Sequence, residues 1–147
     1  MKHLFDPSDA DEMKARITAI SPTAVKQWGK MDVAQMLAHC GNGLEMAIGI
    51  IKPKRIFIGR LIGGLIKSKY TDEKPLDKSS PTSDEIRVTG SRDFNNEKER
   101  LLALLKRFSE EKKATTHPHP FFGDLRPEEW SRGMYKHLDH HFRQFGA

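Results

Sequence analysis

Cysteine is almost missing from this chain: Cys40 is the only one in 147 residues. A disulfide within the chain is therefore excluded, and beside Leu37, Ala38 and Leu44 the lone thiol reads as a small buried hydrophobe. Long apolar runs are missing as well. No stretch reaches the ~20 apolar residues that a bilayer-spanning helix requires, and the opening "MKHLFDPSDADEMKAR" has no apolar run of signal-peptide length. These absences predict a soluble protein of the cytoplasm without stable membrane insertion. Acidic residues are absent between Glu45 and Asp72, where Lys52, Lys54, Arg55, Arg60, Lys67 and Lys69 stand unopposed. These six cations exceed the formal net charge of +5, so the rest of the chain is slightly acidic and the basicity is local. Within that segment the only aromatics are Phe57 and Tyr70. A nucleic-acid groove spreads its cations along a strand path and interleaves stacking rings, so the pattern argues against nucleic acid as a partner.

What is present is mostly helical signal, in a chain long enough to bury roughly two-thirds of its unfolded surface as one domain spanning residues 1–147. "SDADEMKARITAIS" has acids in its first turn and Met13, Ile17 and Ile20 at helical spacing, with Pro22 closing it. "DVAQMLAHCGNGLEMAIGI" opens with Asp32 and Gln35 at the spacing of a capping box. "FNNEKERLLALLKRFSEEKK" follows Asp93, a cap candidate, and lines up Leu101, Leu104, Leu105 and Phe108 on one stripe. "RPEEWSRGMYKHLDHHFRQFG" has proline in the first turn, acids behind it and glycine at the end. These are four helices. Between the second and third, "IFIGRLIGGLIKSKY" admits a short helix, but Gly59, Gly63 and Gly64 each cost about 1 kcal/mol there, so it needs tertiary contacts. "TDEKPLDKSSPTSDEIRVTGSRD" reads as a long polar loop, functional or mobile by its length.

The last helix crowds imidazoles onto an apolar face. At 100° per residue, with His137 at zero, Trp130 falls near ~20°, His141 near ~40°, Met134 near ~60° and Phe145 near ~80°. His137 and His141 therefore lie inside the stripe, and His140 sits on its edge. Residues four apart on a helix have Cβ atoms roughly 5–6 Å apart, which lets both rings reach one ion. A third ligand has to come from another helix, and His39 in "MLAHCGNG" offers one, with Gly43 a turn away leaving room for an approach. The bland alternative is a set of satisfied core or boundary histidines. Against it, burying three unpaired imidazoles costs solvation free energy at each, which a shared cation offsets. His117 and His119 in "THPHPFFGDL" are alternative contributors on a proline-rich connector.

The segments "WGKMDVAQMLAHCGNGLEMA" and "HPFFGDLRPEEWSRGMYKHLDHHFRQFG" resemble the DinB-like (YfiT-like) superfamily of metal-binding helical bundles, in a small bacterial branch, and the similarity runs over nearly the whole chain. The resemblance implies an all-α, up-down-down-up four-helix bundle with a long crossover, about residues 51–92, between helices two and three. It also implies metal ligands at His39, His137 and His141, with Gln144 matching a glutamine that often follows the pair. Arg126 departs from the Thr or Ser favoured before Pro127. Three neutral histidines leave coordination positions open, as catalytic sites do. The resemblance implies a divalent metal, zinc or nickel, and a metal-dependent transferase using a low-molecular-weight thiol as cosubstrate, or a hydrolase, acting on a small-molecule substrate. A homodimer is compatible with it. Asp32, Glu45 and His140 are the candidate general bases. The competing reading is a non-catalytic metal-binding or structural bundle whose basic crossover contacts a partner or a membrane surface.

Overall fold

The computed structural model describes residues 1–78 and 82–147; residues 79–81, part of the stretch read as a polar loop, lie outside the described residues. The described chain is all-helical: α1 (Pro7–Ala19), α2 (Val33–Ile48), α3 (Phe57–Thr71), a three-residue 3-10 turn (Asp84–Ile86), α4 (Phe94–Glu111) and α5 (Pro127–Gln144). No strand occurs among the described residues, only an isolated bridge between His119 and Gly123. The four expected helices are present, and the crossover adds a fifth.

Local chemistry sets the boundaries. Asp6 starts α1 by accepting from the backbone N–H groups of Ser8 (2.9 Å) and Asp9 (3.3 Å), two residues before the helix expected from the acidic run. The capping box of α2 is complete: the Asp32 carboxylate accepts the Gln35 N–H at 2.8 Å, and Gln35 Oε1 accepts the Asp32 N–H at 3.0 Å. Asp93 caps α4 through the Asn96 N–H at 2.8 Å. At α5 the Arg126 side chain has no acceptor to give, so half a box remains, in which Glu129 accepts the Arg126 N–H at 2.7 Å. Pro127 loses nothing in the first turn, where its missing N–H would have had no helical partner.

One contiguous cluster forms the core. Met13 and Ile17 of α1, Leu37 and Leu44 of α2, Leu101 and Phe108 of α4, and Trp130 and Leu138 of α5 are all buried within it. α2 packs on both α4 and α5, and α1 bridges α4 to α5. Arg100 of α4 fastens the first of these pairs, reaching Glu45 at 2.8 Å and Asn42 Oδ1 at 2.9 Å on α2.

α3 is attached differently. Among the helices it packs on α5, and its inner face is glycine, laid on the connector before α5. A Cβ at residue 63 would stand 2.1 Å from the Phe121 carbonyl oxygen, and one at residue 59 would stand 2.7 Å from it. The glycines that cost helix propensity are what allow the helix to touch this backbone at all. Arg55 Nη2 donates to the Gly59 carbonyl at 2.8 Å, and Lys67 reaches the Asp124 carbonyl and Glu129, both at 2.9 Å. No helix is long and apolar enough to cross a membrane among the described residues.

Candidate metal centre

His39 is buried in the middle of α2, and His137 and His141 stand one turn apart on the facing side of α5. One nitrogen from each ring lies within 4.8 Å of the other two, close enough for all three to hold one metal ion. The Nε2 atoms of His39 and His137 are 3.0 Å apart, near the about 3.3 Å that separates two nitrogens bound at ~2.0–2.1 Å to a tetrahedral ion. The ring centroids are 4.6 to 4.9 Å apart, with the planes steeply inclined. The rings converge edge-on, nitrogens inward.

Hydrogen bonds fix which nitrogen carries the proton. His39 Nδ1 lies 2.9 Å from the Ile86 carbonyl oxygen, which can only accept, so Nδ1–H donates and Nε2 keeps its lone pair. His141 is set by a two-step chain. The Gln144 amide nitrogen donates to the Trp28 carbonyl at 2.7 Å, which orients the amide and leaves its Oε1 3.1 Å from His141 Nδ1. His141 Nδ1–H donates to that oxygen, and its Nε2 is free for the centre. His137 has no such anchor, since its Nδ1 is buried without a partner among the described residues. Its Nε2–H therefore donates to His39 Nε2, and that proton sits where the three lone pairs would meet a cation.

The electrostatics agree with this donor set. Burial pulls the His39 and His137 pKa values below the usual 6.5, His137 further because of its imidazole neighbours. Burial also draws His141 down to about 3. All three are neutral at pH 7, the form that binds metal. The space beside Gly43 has a specific tenant. A Cβ there would lie 3.0 Å from Cε1 of His137, so the glycine makes room for the second ligand ring and not for a visitor.

The triad opens into a cavity of about 460 Å³, a size suited to a small organic molecule. Across from it stand Ile66 and Tyr70 of α3 with His119 and Phe122 of the connector. His119 is not brought to the triad. It is held as a neutral wall residue, its Nδ1 accepting the backbone N–H groups of Phe121 (3.1 Å) and Phe122 (3.3 Å). Burial takes its pKa down to about 3. His117 Nε2 hydrogen bonds the Pro53 carbonyl at 2.8 Å. His140 packs edge-on against His141, with ring centroids 5.0 Å apart, and beside Trp28 at 5.9 Å, and it hydrogen bonds the Leu76 backbone.

The candidate bases are engaged elsewhere. Asp32 caps α2, Glu45 pairs with Arg100, and neither they nor His140 line the cavity. Ser83 was not foreseen: it lines the cavity, is buried, and its Oγ has no hydrogen-bond partner among the described residues. The carbonyls of Ile86 and Trp28 also carry no sequence signal, because every residue offers the same backbone acceptor.

No curated protein and no solved structure matches the chain. A family model described as "Protein of unknown function (DUF1569)" matches residues 2–147, and the chain belongs to that family.

Proposed function

We propose that His39, His137 and His141 hold one divalent cation, zinc or nickel, and that the protein is a metal-dependent enzyme acting on a small molecule. The leading chemistry is transfer of a low-molecular-weight thiol, with hydrolysis as the related alternative. In this reading α1, α2, α4 and α5 are the four helices of an up-down-down-up bundle of the DinB-like kind, with α3 added in the crossover. The observation that carries it is the prepared donor set: the tautomers of His39 and His141 are dictated by carbonyl acceptors, so their lone pairs face the third ring. Bound there, an open divalent ion supplies Lewis acidity, lowering the pKa of a coordinated thiol or water. The chain orients the ligands, sets the Tyr70 and Phe122 rings into the cavity lining as an apolar wall, and offers the cavity to the substrate.

The test is elemental analysis of protein purified without chelator, then turnover with glutathione, bacillithiol and mycothiol against electrophiles, and with esters. One metal per chain is expected, falling to near zero in His39→Ala, His137→Ala and His141→Ala and staying intact in His117→Ala and His140→Ala. A metal-free wild-type protein overturns the reading. Stoichiometric metal with no turnover favours the second reading, a metal-binding bundle without catalysis, which the engagement of Asp32 and Glu45 in structural contacts supports.

A further inference from the structure

α3 buries two of its three glycines and exposes most of its large apolar side chains. Gly59, Gly63 and Tyr70 face inward, while Phe57 (74 % exposed), Ile58 (51 %), Leu61 (64 %), Ile62 (39 %) and Leu65 (82 %) stand in solvent. Their spacing places the five on one continuous stripe, roughly 150° around the helix from the glycine face. An apolar patch of this kind on an otherwise polar surface marks a contact site.

Charge selects the occupant. Lys52 and Lys54 just before α3, and Arg60 and Lys69 on it, are exposed, and no acidic residue occurs in the chain between Glu45 and Asp72, although Glu85 sits at the Lys54 backbone N–H. A second copy docked through the same stripe would bring these cations against their own images. A stripe one helix long is also on the order of a few hundred Å², short of the roughly 800 Å² per partner of a stable specific interface. α3, with 15 residues, is too short to span a bilayer. Apolar side chains flanked by cations on a short surface helix instead match an interface of acyl chains beneath anionic headgroups. We infer that the outer face of α3 is a docking surface for an anionic lipid bilayer, with the stripe entering the acyl boundary and Lys52, Lys54, Arg60 and Lys69 meeting the headgroups. Gly59 and Gly63 lie on the opposite face, and Gly64 is exposed at the edge of the stripe beside Phe57.

Flotation of the full chain with vesicles of phosphatidylcholine alone, and of phosphatidylcholine with phosphatidylglycerol, tests it alongside sedimentation velocity. The expected result is binding to the anionic vesicles only, weakening as salt rises, with a blue-shifted emission of Phe57→Trp on those vesicles. The Leu61→Glu/Leu65→Glu variant and the Arg60→Glu/Lys69→Glu variant should each lose about tenfold in partitioning. All four positions are exposed, so unchanged helical circular dichroism is expected and separates lost docking from lost fold. Absence of binding, equal binding to both vesicle types, or binding indifferent to Leu61→Glu/Leu65→Glu overturns the inference. A dimer that Leu61→Glu/Leu65→Glu converts to monomer, with no vesicle binding by the wild type, overturns it in favour of self-association.

Discussion

Gln144 is buried at the end of α5 and acts through His141, not through the cavity, which it does not line. Its amide must satisfy Trp28 and His141 together, so Gln144→Leu leaves a buried carbonyl unpaired and lets the imidazole choose its tautomer. The expected outcome is a 10–100-fold weaker metal affinity, roughly, with the fold intact, read by competition with a chromogenic chelator. Gly29 supports the same latch. Its φ of +82° suits glycine, and a Cβ there would stand 2.2 Å from the Gln144 amide nitrogen. At this scale the sequence was legible where chemistry rides on side chains: the helical phase of His137 and His141, and the isolated His39, identified the three rings that meet. It was not legible where the partner is a carbonyl such as that of Ile86 or Trp28, since a backbone acceptor leaves no mark on residue identity.

α2 and α4 could be read almost to their ends because capping side chains and apolar periodicity point the same way in each, and α5 because Pro127 and the acids behind it mark its first turn. α3 could not, because propensity and tertiary contact oppose each other there. Gly59, Gly63 and Gly64 look alike in sequence, yet two lie against Phe121 and the third has nothing within 4 Å of a Cβ position. Substitution should therefore split them. Gly64→Ala gains helix propensity with no clash and is expected to stabilise by about 0.5–1 kcal/mol. Gly63→Ala forces α3 off the connector and is expected to destabilise by about 1–3 kcal/mol despite the same propensity gain. Urea titration of the two variants against wild type checks the opposite signs. A shared sign would show that α3 is not seated on the Phe121 backbone.

For the molecule as a whole, the buried imidazoles make acid the adversary. His119 and His141 bind protons near 6.5 when unfolded and only near about 3 when folded. Between those values the unfolded chain holds more protons, so the stability of the metal-free protein falls as pH drops from about 6.5 toward 3 and is fully present above that window. Glu12, held down by Lys2, and Asp72, held down by Lys136, add their own loss below their ordinary carboxyl values of 4.5 and 3.8. Thermal melts of metal-free protein should show the midpoint declining already between pH 7 and pH 5, before those carboxylates titrate. Zinc should raise the pH 7 midpoint by mass action, about 2.7 kcal/mol at a hundredfold excess over its dissociation constant. A midpoint flat down to pH 5 would mean that the imidazoles are hydrated and not buried.

The cavity divides its labour between unequal walls. The ring nitrogens hang from α2 and α5, which are locked into the main cluster, whereas the opposite wall includes α3, which among the described helices packs on α5 alone. Segments with few buried contacts detach at the lowest cost. Lifting α3 would break the glycine seam, the Lys67–Glu129 ion pair and the packing of Tyr70 on His119 and Phe122, yet would leave His39, His137 and His141 on helices of their own; under the proposed function, access for a solute and the grip on the cation would then rest on different helices.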